Sequence, residues 1–267
     1  MDASEILSQT RQAILTNTSR VAELVAAVED PSAPVPNSIW TQRDVGAHLV
    51  SCCPLYIDIA QGVPSPIESL DPACIERETT RRNADVAETD PAKLSRLLVD
   101  GVERFLDATS HQPADAQIIF HGDFPSTVGG LTGTLLGEEV LHGYDLAVAL
   151  GRPWPIDPAD AVLVLTAYAP LFALCLHPER TRALSASFGI ALRGAGEMTV
   201  RFTNGTYGLE EAGTGPVDAT ISADPVAFLM VGTGRLSRYE AIALGLLSAG
   251  GDRPDLGTAF FDFFVFP

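Results

Sequence analysis

Apolar residues in the N-terminal half of the chain recur every three or four positions, in runs separated by short polar breaks that carry proline. The first run has Ile6, Leu7, Ile14, Leu15, Val21, Leu24 and Val25 at helical spacing over about residues 4–28, and Glu29-Asp-Pro-Ser-Ala-Pro ends it. Trp40-Thr-Gln-Arg-Asp44 then reads as the start of a second helix near Gln42. Thr41 supplies the N-cap, Asp44 the third-residue partner of a capping box, and Trp40 with Val45 the flanking apolar pair. Pro54 lacks a backbone donor and is expected to kink or end the first segment of that helix. A polar connection over 62–72 follows, then a charged stretch over 76–90 that can be helical but shows little apolar stripe. Asp90-Pro-Ala-Lys opens a third helix, with Leu94, Leu97, Leu98, Val102, Phe105 and Leu106 on one face, broken by Thr109-Ser-His-Gln-Pro113. After a short alternating run at Gln117-Ile-Ile-Phe120, a glycine-rich stretch over 127–133 leads into a fourth. Four long helices predict an all-α bundle.

Beyond Gly151-Arg-Pro-Trp-Pro the pattern changes. Residues 157–176 read as a buried helix, whereas 184–192, 197–202 and 207–211 alternate apolar and polar side chains as strands do, with Asn204-Gly205 as a hairpin turn between the last two. Residues 217–222 predict a further strand, and 225–231 and 238–247 two helices. The second half is therefore expected to be a small α+β domain. The proline-rich link over 152–157 marks the boundary, giving a bundle over 1–153 and a second domain over 154–267.

Composition limits the function classes. At 267 residues, 46% hydrophobic and 19% charged, the chain can bury a large core and form two domains. Its net charge of −17 repels phosphate backbones and anionic headgroups, and no Lys/Arg run offers a local exception, so neither nucleic acid nor membrane is an expected partner. The N-terminus lacks the basic region of a secretory signal, and the longest uncharged run, 161–176, contains Pro170 and falls short of the roughly 20 residues of a membrane span. A cytoplasmic protein, monomer or homodimer, is expected. The four cysteines, Cys52, Cys53, Cys74 and Cys175, form no CxxC pair and are expected to be reduced core residues, although Cys52 lies four residues after His48 and can look the same way.

Chemistry concentrates in Gly137-Glu-Glu-Val-Leu-His-Gly-Tyr-Asp-Leu-Ala-Val-Ala-Leu-Gly151. On a helix, Glu138, His142 and Asp145 stand at i, i+4 and i+7 and share one face. Amid apolar neighbours these groups must be paired, hydrogen-bonded or bound to a metal. His48 is the best third ligand, because it is the only other histidine inside a strong helical pattern. His111 and His121 fall in loops and His177 precedes Pro178 at a helix end. His48, Glu138 and His142 would be a His₂Glu set with one position open, the ligand count of a catalytic zinc site. The spacing alone also fits a mutually satisfied core cluster.

Trp40-Thr-x-Arg-Asp-x-x-Ala-His48-Leu in one helix and Glu138-x-x-x-His142-x-x-Asp145-Leu-Ala-x-Ala-x-Gly151-x-Pro in another resemble the mycothiol-dependent maleylpyruvate isomerase family of DinB-like proteins. Gly215-Pro-Val-Asp-Ala-Thr-Ile-Ser-Ala-Asp-Pro, Gly234-Arg235-Leu and Gly251-Asp252 look like the sterol-carrier-protein-2-like (SCP2-like) domain often fused to that bundle. The resemblance implies a DinB-like four-helix bundle followed by an SCP2-like α+β domain. It also implies a Zn²⁺ or other divalent metal held by His48, Glu138 and His142, with the mycothiol thiolate in the open position. Asp145 would orient a ligand imidazole. A metal-activated thiol could isomerise a small electrophile such as maleylpyruvate by addition, bond rotation and expulsion, or transfer its sulfur to it, without any protein cysteine. In so acidic a chain an anionic substrate needs a cationic clamp, for which Arg235 is the candidate. The alternatives are a non-catalytic metal-containing or SCP2-like ligand-binding protein and, third, a hydrolase using metal-bound water.

Overall fold

The computed structural model describes residues 2–265. They fall into two compact units, Met1–Ile156 and Asp157–Pro267.

The first unit is a helical bundle built from α1 (Ala3–Ala26), α2 (Gln42–Ala60), α3 (Pro72–Asp85), α4 (Pro91–Ala108) and α5 (Val128–Ala149). Each of the four long helices starts on a side-chain cap: Asp2, Thr41, Asp90 and Thr127 accept from backbone N–H groups of the first turn. At Thr41 the expected capping box is complete, since its hydroxyl accepts from Asp44 N and the Asp44 carboxylate accepts from Thr41 N at 3.0 Å. Helices α1 and α2 each pack against both α4 and α5, so the ring runs α1, α4, α2, α5. Ile14 and Val21, Val45 and Leu49, Leu94 and Phe105, and Leu135 and Val140 fill the space between them. Neighbouring α2 and α5 carry the predicted ligands.

Two features complete what the pattern left open. Helix α2 runs through Pro54 without ending, because Pro54 lies on the exposed face, where the hydrogen bond it removes can be replaced by water. The charged stretch after residue 71 is a full helix, α3, held to α2 by arginines: Arg43 of α2 donates to the carbonyls of Asn83, Val86 and Glu88, and Arg82 of α3 donates to the Ser51 carbonyl. Its inward positions make polar contacts, so no apolar stripe announces it. Between α4 and α5, β1 (Gln117–Ile119) and β2 (Pro125–Thr127) form a two-stranded ladder around a turn in which Gly122 and Asp123 adopt positive φ.

The proline-rich segment after α5 packs on the bundle. The Trp154 indole seats over Gly143, donates to the Val140 carbonyl at 3.0 Å and lies 4.0 Å beneath the Arg20 guanidinium.

The second unit has α6 (Pro158–Tyr168), α7 (Pro178–Thr181), α8 (Pro225–Gly232), α9 (Arg238–Ala243) and α10 (Pro254–Ala259) beside a five-stranded sheet of β3 (Ser185–Leu192), β4 (Gly196–Thr203), β5 (Thr206–Glu211), β6 (Ala219–Ala223) and β7 (Leu247–Gly250). Strand order is β5-β4-β3-β6-β7; the β3–β6 pair is parallel and the others antiparallel. Asn204 and Gly205, both at positive φ, make the expected tight turn between β4 and β5. Helix α6 stops earlier than its hydrophobicity suggested, since Pro170 turns the chain into a 3₁₀ segment. The helix expected over 238–247 ends at Ala243; Gly245 turns at φ 69°, and Leu247 then enters the sheet beside β6. An aromatic cluster that includes Phe188, Phe202, Tyr207, Phe260 and Phe264 packs within the unit.

Replacing Gly143 tests the Trp154 seat. A Cβ at that position would stand 2.3 Å from Trp154 Cζ2, so Gly143→Ala is expected to cost about 1–3 kcal/mol and to shift the tryptophan emission. Thermal unfolding indistinguishable from the parent protein would show that Trp154 does not pack there.

Candidate metal centre

His48 stands on the second turn of α2, and Glu138 and His142 are one turn apart on α5. Because α2 and α5 are neighbours, the three meet. His48 Nε2 lies 3.0 Å and His142 Nε2 3.3 Å from the same oxygen, Glu138 Oε2. One ligand atom from each residue falls within 4.8 Å of the other two. A tetrahedral ion with bonds of ~2.1 Å needs ligand atoms about 3.4 Å apart, so the donor set and its spacing suit a zinc-like cation. Side-chain exposures of 12%, 18% and 16% for His48, Glu138 and His142 leave the centre reachable from solvent.

Neighbouring groups fix the orientation of these side chains. Asp145 Oδ2 is 3.1 Å from His142 Nδ1, which orients the ring so that Nε2 faces Glu138. Tyr56, buried on α2, donates its hydroxyl to Glu138 Oε1 at 2.8 Å, leaving Oε2 to face the histidines. The Trp40 ring lies 4.8 Å from the His48 ring and 5.2 Å from that of His142. Glu139 points instead toward α1, fully buried, and accepts from the Thr18 hydroxyl at 2.6 Å. A step of about 100° around the helix separates these adjacent carboxylates.

Charge is balanced around the same point. Burial alone would raise Glu138, but hydrogen bonds from His142 and His48 hold it well below the usual carboxylate range. Burial lowers His48 against the opposing pull of Glu138. It acts likewise on His142, where hydrogen bonds to Asp145 and Glu138 outweigh it and leave the imidazole above its ordinary value. The cluster therefore favours a positive charge between its members, whether a proton or a metal cation.

Residues 15–147 match the family described as the mycothiol maleylpyruvate isomerase N-terminal domain, and residues 173–258 match the SCP-2 sterol transfer family. The chain belongs to the mycothiol-dependent maleylpyruvate isomerase family. Two solved structures, the crystal structure of the mycothiol-dependent maleylpyruvate isomerase and that of a single-site mutant of it, share its fold. Each is 14% identical, with a TM-score of 0.52 over 91% of this chain and 92% of that one. No curated protein matches the chain.

Within this isomerase-family bundle, Tyr56 and Trp40 contact the centre in ways that spacing did not announce. Tyr56 stands two helical turns beyond His48, which is the available signal; Trp40 is the apolar flank of the cap and opens the family motif, but neither feature places it against the imidazoles. Cys52 does look toward the centre, with Sγ 3.5 Å from His48 Nε2, yet burial, then the charge of Glu138, pushes its thiol well above the usual range. Burial likewise pushes Cys53 up to about 12. All four cysteines are free and buried. Arg235 belongs to the second unit, where its Nη1 donates to the Thr233 carbonyl at 3.1 Å. Inside that unit an apolar space lined by Phe172, Ile190, Met198, Val200, Tyr207 and Phe228 measures only about 10 Å³, room for about one water molecule. No helix among the described residues is long and apolar enough to cross a membrane.

His121 also lies near the centre. It is buried, stacked on Phe120 at 3.9 Å, and its Nδ1 is 2.7 Å from Ser65 Oγ.

If the ligand set is right, His48→Ala, Glu138→Ala and His142→Ala each lose a stoichiometric divalent metal while keeping far-UV helicity, and Asp145→Asn weakens metal affinity about 10- to 100-fold. Full metal content in all three alanine variants would remove the centre. A separate expectation concerns His121, which burial pushes from 6.5 down to about 4. The fold holds it neutral while the unfolded chain takes up a proton below about 6.5. Its contribution, on the order of 3 kcal/mol, is therefore complete above pH 6.5 and lost as the pH falls toward 4. Denaturant titrations should show a smaller loss between pH 7 and 4 for His121→Gln than for the parent; equal losses would contradict this assignment.

Proposed function

We propose that the protein is a metal-dependent enzyme that uses a low-molecular-weight thiol, mycothiol, for cis/trans isomerisation of a small electrophile of the maleylpyruvate type; S-transfer by the same residues is the variant reading. The observation that carries it is the convergence of His48 Nε2 and His142 Nε2 on Glu138 Oε2, on neighbouring helices of a bundle from this isomerase family. Zn²⁺, or another divalent ion held by His48, Glu138 and His142, would keep a bound thiol as thiolate at neutral pH.

The protein's own residues then orient and shield. Asp145 orients the His142 ring, Tyr56 fixes the carboxylate rotamer, and Trp40 lies against both imidazoles. Cys52 and Cys53 stay protonated in apolar surroundings, so neither competes as a nucleophile. Arg235 of the second unit is the candidate cation for a substrate carboxylate. The reading places the enzyme in the cytoplasm, as a monomer or homodimer with neither nucleic acid nor membrane as partner.

Metal analysis of the purified chain, combined with turnover of maleylpyruvate with and without mycothiol, tests this directly. The expected result is one divalent metal per chain, isomerisation only with added thiol, and loss of activity on chelation. Turnover without thiol would favour hydrolysis or another chemistry, and metal without any turnover would leave a binding protein. Cys52→Ala should retain thiol-dependent activity, losing packing energy on the order of 1 kcal/mol. Arg235→Ala should lower kcat/KM for an anionic electrophile by about 10- to 150-fold more than for a neutral one; equal effects would remove it from that role.

A further inference from the structure

An acidic ligand approaching this centre meets a chain of net charge −17, with Glu138, Glu139 and Asp145 close together on α5. Recognition needs a cation held near the histidines, and the first unit offers one from an unexpected helix.

Helix α3 carries Arg77, Arg81 and Arg82. Arg77 and Arg81 are exposed, at 62% and 52%, and pair with Glu78 and Asp85. Arg82 turns the other way. Its Nη2 donates to the carbonyl of Ser51, three residues after His48 and directly before Cys52. Cys52 Sγ in turn lies 3.5 Å from His48 Nε2. Among the described residues no carboxylate stands within ion-pair distance of Arg82, whereas Arg43, Arg77, Arg81 and Lys93 in the same unit each have one. A half-buried guanidinium with one N–H engaged keeps the rest of its five-donor fork for a planar anion.

We infer that Arg82, reaching from α3 to the turn of α2 that carries His48 and Cys52, is an anion-binding residue of the centre, additional to Arg235, and takes one carboxylate of a small acidic ligand lying against His48, Glu138 and His142. The inference rests on reading the centre as a small-molecule site, and it adds a cation from the first unit to ligand recognition. It requires no chemical step: the fork donates to the carboxylate, whose attraction to Arg82 is strong because no protein carboxylate competes for it. The competing account is a structural one, in which Arg82 only ties α3 to the carbonyl of Ser51.

Calorimetric titration of maleate, a cis-dicarboxylate probe, into the full-length metal-loaded chain separates the two. Arg82→Gln should weaken maleate binding about 10- to 150-fold with metal content unchanged. Arg82→Lys should restore part of the loss, and Lys93→Gln, which removes a remote charge, should leave the Kd as in the parent. Parent protein that fails to bind maleate, or Arg82→Gln that binds it equally well, would overturn the assignment. A purely structural Arg82 would instead lower the Tm and leave the Kd of the folded fraction unchanged. Should Arg82→Gln not fold, the parent still decides: maleate must protect Arg82 from phenylglyoxal modification as read by mass spectrometry, and unprotected modification overturns the assignment. Arg82-dependent maleate binding without thiol-dependent turnover would reject the isomerase reading while leaving this inference standing.

Discussion

The Glu138 carboxylate, held between two imidazoles at the seam of α2 and α5, is the interaction on which the first unit's chemistry depends. An ionised carboxylate that is mostly withdrawn from water is costly unless its oxygens are occupied. Here Oε1 takes the Tyr56 hydroxyl and Oε2 faces both histidines, so every group that satisfies Glu138 is also positioned by it. The arrangement demands that α2 and α5 be neighbours with Glu138 facing the stretch of α2 between His48 and Tyr56, and the ring order of the bundle makes those helices neighbours.

The same constraint explains why adjacent Glu138 and Glu139 have different fates. Glu138 looks toward α2 and stays partly exposed; Glu139 looks toward α1, is fully buried and accepts from Thr18. A pair of acidic residues that reads as one feature in the chain is divided by helical geometry into a chemical group and a structural one. The cysteines divide in a related way: proximity brings Cys52 to the centre, but its apolar surroundings deny it the thiolate character that would make it reactive.

The second unit is organised by packing. Its aromatic cluster leaves an apolar space of only about 10 Å³ between Phe172, Ile190 and Tyr207. Arg43 and Arg20 close backbone carbonyls and an indole face, as connectors of one segment to another, whereas Arg82 makes such a contact beside the histidines and, among the described residues, lacks a carboxylate partner.

Local pattern was sufficient for much of this. Caps at Thr41 and Asp90, the apolar stripes of α1 and α4, the Asn204-Gly205 turn and the Glu138-His142-Asp145 face all depend on residues a few positions apart, where the period of the backbone fixes who meets whom. Groups distant in the chain were less legible. His48 could be nominated as a partner of Glu138 because it too sat on a strong helix, but which helices are neighbours is set by packing of whole faces. Tyr56, Trp40 and Arg82 acquire their roles only through that packing. Helix α3 was obscure because its inward side is polar, and the end of α9 because Leu247 gains more from pairing with β6 than from another helical turn. Periodicity reports a burial requirement within one element; the identity of the group that meets it is decided across elements, by contacts that exist only once the chain has folded.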